Sequence, residues 1–74
     1  MIEFDYTYRR RKYYITIYPD KKGKIAWTES AGYLRTVAFT QVNENFIFFQ
    51  QSGLSASAEA KLKKIILMNL PKEA

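Results

Sequence analysis

The residues of this chain whose types and spacing suit chemistry are cations interleaved with phenol rings: Tyr8-Arg9-Arg10-Arg11-Lys12-Tyr13-Tyr14, followed shortly by Lys21-Lys22-Gly23-Lys24. Lysine and arginine neutralise phosphates and release counterions, while flat aromatic rings offer stacking surfaces to unpaired bases. The combination is expected to bind single-stranded DNA or RNA. In that reading Arg9, Arg10, Arg11, Lys12, Lys21, Lys22 and Lys24 meet phosphates, Tyr14, Tyr18 and Tyr33 form the stacking platform, and Arg35 adds a further cation. The same basic surface also suits an acidic protein partner, which would make the chain a small inhibitor or adaptor. Reading of a duplex is not expected, because the one helix the sequence offers is needed for core packing.

Net charge is +5, from twelve Lys and Arg against seven Asp and Glu, and it is concentrated. Between positions 9 and 24 seven cations face only Asp20, a local surplus of +6, whereas Glu3 and Asp5 make the first strand acidic. The plain structural alternative for the run is a solvated turn that keeps the protein soluble, and for the tyrosines ordinary cross-strand pairing. Trp27 and the Phe46 to Phe49 cluster read as core.

Much other chemistry is excluded. The chain has no histidine and no cysteine, so it lacks the usual general base, the thiol nucleophile and nearly every transition-metal ligand set. No enzyme activity, metal or cofactor is expected. Ser52, Ser55 and Ser57 have no visible activating base and read as loop and helix cap. Glu3 and Asp5 project to one side of a strand and read as a charged edge that discourages sheet-to-sheet aggregation. Gly23, Gly32 and Gly53 are too dispersed for a phosphate loop.

The elements that must position these groups follow from periodicity. Ile2, Phe4, Tyr6 and Tyr8 alternate with Glu3, Asp5 and Thr7, a period of two that predicts a strand with one buried face. Residues 13 to 29 predict a β-hairpin with a lysine-bearing tip at Pro19 to Lys24. Tyr13, Ile15, Ile17, Ile25 and Trp27 would line its inner face, and Tyr14, Thr16, Tyr18, Ala26 and Thr28 its outer face. Arg9 to Lys12 is either a tight turn or part of one long bent strand pair. The β-branched residues between Tyr33 and Val42 favour a fourth strand over a helix, Asn43-Glu44-Asn45 has turn chemistry, and Phe46 to Phe49 reads as a strand covered on both sides. From Ser55 to Leu70 the spacing of Ala58, Leu62, Ile65, Ile66 and Asn69 predicts an amphipathic helix stopped by Pro71.

Strands first and a helix last predict an α+β domain: an antiparallel sheet of four to five strands, about residues 2–50, packed on one C-terminal helix. The 74 residues are read as one small domain with a short C-terminal tail. Such a domain buries only about 60% of its unfolded surface, so its core is thin. The uncovered sheet face and the Phe46 to Phe49 strand suggest a homodimer. The acidic start predicts no export signal, no apolar run approaches the roughly 20 residues needed to span a bilayer, and the absence of cysteine fits a reducing compartment, with the cytoplasm as the expected location.

The order Lys22-Gly23-Lys24-Ile25-Ala26-Trp27, then Gly32-Tyr33, then Ile47-Phe48-Phe49-Gln50-Gln51-Ser52-Gly53-Leu54 resembles the strand sequence of cold-shock nucleic-acid-binding domains, with Gln50 where that family customarily has histidine. The strands-then-helix order also resembles the single-stranded-DNA-binding transcriptional coactivators. Both resemblances imply a nucleic-acid ligand.

Overall fold

A computed structural model describes residues 1–43, 46–50 and 53–70. The expected turn residues Glu44 and Asn45, Ser52 and the helix stop at Pro71 lie outside the described residues. Five strands, β1 (Ile2–Tyr8), β2 (Arg11–Ile17), β3 (Lys22–Thr28), β4 (Leu34–Asn43) and β5 (Phe46–Phe49), precede one helix, α1 (Ala56–Asn69). The strands form a single antiparallel sheet in the order β1-β2-β3-β4-β5, each paired with its neighbour in the chain. This is the α+β arrangement that the periodicities predict, with residues 34–43 forming a strand. The sheet is an open meander, unlike the five-stranded Greek-key barrel of the OB and cold-shock type.

Alternation decides which face is buried. Tyr13, Ile15 and Ile17 of β2, Ile25 and Trp27 of β3, Val37 and Phe39 of β4, and Ile47 and Phe49 of β5 all point to one side and are buried. Ile2, Phe4, Tyr6 and Tyr8 of β1 pack against this core half-buried, as an edge strand does. Tyr13 and Trp27 meet with ring centroids 5.6 Å apart, and Phe39 meets Phe49 edge-on at 5.9 Å. Each large apolar side chain removed from water contributes about 1.5–3 kcal/mol, so this one layer carries most of the fold's stability.

The helix starts where Ser55, in extended backbone, accepts a hydrogen bond from the Ala58 N–H at 3.3 Å, with Glu59 in the first turn near the positive end of the helix dipole. Ala58, Leu62 and Ile66, spaced by four, form its buried stripe. Ser57 lies beside the Tyr8 phenol of β1, and farther along the Lys63 ammonium lies 5.4 Å from the Phe46 ring centroid and 5.6 Å from that of Phe49. The helix therefore has its first turn near β1 and its middle against β5.

Two details refine the expectations. The Arg9 to Lys12 segment is a two-residue turn: Tyr8 pairs with Arg11, and Arg9 and Arg10 between them have φ of 51° and 65°. Positive φ at both central residues is the hairpin turn whose twist suits the flanking strands, although each L residue in that conformation costs about 1–2 kcal/mol. The β5 strand is not covered on two sides. Ile47 and Phe49 are buried, but Phe46 is 48% and Phe48 53% exposed, because the one helix covers only one face of the sheet.

Candidate nucleic-acid interface

The face opposite the helix is built from the alternate residues of each strand. In register across it stand Asp5, Tyr14, Ala26 and Thr36, and beside them Glu3, Thr16, Lys24 and Ala38. Lys22, Thr40 and Phe48 form a further row. The face thus has an acidic margin on β1, a basic and aromatic centre on β2 and β3, and a floor of threonine and alanine on β4. Small side chains there leave the rings standing clear: Tyr14 is 52% exposed, with the Lys12 ammonium 5.9 Å from its centroid.

Two open depressions lie on this face. One, about 370 Å³, is lined by Arg9, Arg10, Arg11, Lys12 and Tyr14 together with Thr28 and Ser30. The other, about 570 Å³, is lined by Tyr18, Lys22 and Lys24, by the carboxylate-bearing Asp20, by Gly23, by Thr36, Ala38, Phe39 and Thr40 of β4, and by Gln50. Each pairs a tyrosine with several cations.

The expected cations do not form one cluster. Successive turns of a meander lie at opposite ends of the strand between them, so Arg9 and Arg10 sit at one end of β2 and Lys21 and Lys22 at the other. Seven residues of β2 separate the ends, about 23 Å at 3.3 Å per residue. Lys12, Tyr14, Thr16 and Tyr18 run between them along the outer side of β2, with Tyr18 half-buried.

Two predicted site residues are engaged by a carboxylate, one of them, Arg11, while it also lines the first depression. Arg11 and Arg35 belong to the helix-side alternation, where Glu29 engages both, at 3.6 Å from Arg11 Nη2 and 3.7 Å from Arg35 Nε. The Arg35 guanidinium also lies 6.0 Å from the Trp27 ring centroid. Glu29, with its single negative charge, therefore offsets one of the two charges that Arg11 and Arg35 bring, leaving a net +1. Tyr33 stands 63% exposed in the β3–β4 connection, at the same end of the sheet as Arg9 and Arg10. Arg9 lines the first depression while its guanidinium lies 5.4 Å from the Tyr8 ring centroid.

Sequence reasoning misses Phe48 and Glu29. The apolar run places Phe48 in the core, although only one helix is available to cover two sheet faces. Glu29 stands two residues after Trp27, but its partners come from β2 and β4, which no local spacing reveals. Among the described residues no group of three or more Asp or Glu side chains is arranged to hold a metal ion, and no helix is long and apolar enough to cross a membrane. No protein-family model, curated protein or solved structure matches this chain.

Proposed function

We propose that this chain is a non-enzymatic binder of single-stranded nucleic acid, using the sheet face opposite the helix. The supporting observation is the pair of depressions along that face, each combining an exposed or half-exposed tyrosine with basic side chains. A single strand laid along β2 would set phosphates against Arg9, Arg10 and Lys12 at one end and Lys21, Lys22 and Lys24 at the other, with bases over Tyr14 and Tyr18 between them. Base stacking on an aromatic ring is worth about 1–3 kcal/mol and tolerates any base, so the ligand class is single-stranded and the sequence preference weak. The acidic β1 margin, Glu3 and Asp5, favours a path over β2 and β3 and away from that edge.

Titration of the whole chain with single-stranded and duplex oligonucleotides at about 50 and 200 mM salt tests this reading. Binding should prefer the single strand and weaken steeply with salt. No binding of a single strand at the lower salt overturns the proposal, and preference for an acidic protein ligand would favour the adaptor reading instead.

A further inference from the structure

Arg9, Arg10 and Lys21 are the non-glycine residues, among those described, with left-handed backbone, at φ of 51°, 65° and 66°. All three are cations, and they occupy the two turns that bracket β2. Ordinary turn chemistry asks for something else there. A two-residue hairpin turn with positive φ at both central positions favours Asn-Gly, and a three-residue hairpin loop takes Gly at its left-handed third position. Pro19-Asp20-Lys21 is a loop of the second kind, closed by the Tyr18 N–H donating to the Lys22 carbonyl at 2.7 Å, with Lys21 in the glycine position.

The next turn provides the contrast. In the β3–β4 connection the positive φ, 95°, is taken by Gly32. A Cβ in the left-handed region is disfavoured, and such residues persist where another requirement over-determines them. Arg9 has one contact within the fold, with the Tyr8 ring; beyond that, holding the fold is not the requirement at these tips. The side chains of Arg9, Arg10 and Lys21 are exposed, and the Lys21 carbonyl that accepts from the Gln41 N–H at 2.7 Å would be supplied equally by glycine.

We infer that Arg9, Arg10 and Lys21 are the phosphate-binding groups at the two ends of one nucleic-acid track along β2, retained in glycine-type turn positions at a cost to the stability of the fold. This rests on the single-strand-binding reading and adds which of its cations bear the ligand: the tips at both ends, ahead of Arg35 and of Arg11, which lines the same depression as Arg9 and Arg10 but is held by Glu29.

The test measures binding of an oligothymidylate of about twelve nucleotides across a salt series, together with thermal unfolding of each free protein. The variants are Arg9→Asn with Arg10→Gly; Lys21→Gly; Arg9→Gln with Arg10→Gln; and, as a control for net charge, Lys64→Gln on the exposed side of α1. Both glycine-type variants should unfold at a higher temperature, by about 5 °C. Their log–log salt slopes should fall by about 0.7 for each phosphate that is no longer neutralised. The glutamine pair should show the same fall in slope as the Asn-Gly pair without its rise in unfolding temperature, and Lys64→Gln should keep the wild-type slope. Turn variants that bind with the wild-type slope, or an Asn-Gly turn no more stable than the glutamine pair, overturn the inference. If the wild type itself shows no salt-dependent binding, the single-strand reading falls as well; if it binds and only the variants fail to differ, the inference falls alone.

Discussion

The Trp27 indole N–H donates a hydrogen bond to Glu29 Oε1 at 3.0 Å, so a ring at the centre of the core fixes the carboxylate that Arg11 and Arg35 approach. Core packing and surface electrostatics are thereby tied together through two residues of one strand end.

Replacing Glu29 by glutamine tests this link. The amide oxygen of Glu29→Gln still accepts from the indole, but both ion pairs disappear. Exposed pairs of this kind contribute about 0.2–1 kcal/mol each, so the variant should unfold slightly more easily. Two guanidiniums are freed at the same time, so affinity for a single strand should rise at low salt. A titration showing weaker binding would contradict the assignment of Glu29 as a neutralising group.

Tyr14 is half-exposed on the uncovered face, so Tyr14→Ala should leave thermal stability nearly unchanged. Removal of one stacked base should weaken single-strand binding by about 1–3 kcal/mol, with the salt slope unaltered. A fall in slope with affinity preserved would mean that the ring does not stack.

Gly23 pairs with both Ile17 and Phe39 in the middle of the sheet. A Cβ there would run into the Phe39 ring and lie 2.5 Å from the Thr16 carbonyl oxygen, and the backbone oxygen has no freedom to move aside. Gly23→Ala should therefore destabilise the fold by about 1–3 kcal/mol, as overpacking of a core does. Chemical denaturation giving an unchanged midpoint would show that Phe39 repacks without strain.

The hydrogen bond with Ser57 holds the Tyr8 phenol below its ordinary value of 10.0; burial opposes this, and the nearby charges of Arg9 and Lys61 reinforce it. A depressed folded value means that the folded state prefers the phenolate. The resulting stability is fully present above the unfolded value near 10 and is lost as pH falls through the folded value. Phenolate absorbance of the wild type minus that of Tyr8→Phe should show a transition below pH 10, moved upward in Ser57→Ala. A difference transition centred at 10 or above would contradict the Tyr8–Ser57 hydrogen bond.

What is legible in the sequence is whatever depends on residues two, three or four apart. Period-two alternation in Ile2 to Tyr8, in Tyr13 to Ile17 and in Ile25 to Thr28 assigns the inward and outward side chains of those stretches, and the spacing of Ala58, Leu62 and Ile66 marks the helix stripe, because backbone geometry imposes those periods locally. The absence of glycine, asparagine and proline hides the Arg9-Arg10 turn, since those residues are the usual signal for a tight hairpin.

Only the tertiary arrangement decided where the charges act. The two cation runs, Arg9-Arg10 and Lys21-Lys22, are carried to opposite ends of β2 because the meander reverses direction at each turn, and Arg11 and Arg35 meet Glu29 because three different strand ends converge on the helix side of the sheet. The same arrangement left Phe48 in the open, since a single helix buries one face of a sheet and the all-apolar run Phe46 to Phe49 does not state which. Residue type and period set the faces; the long-range packing that orders the strands and seats the helix sets which face stays uncovered.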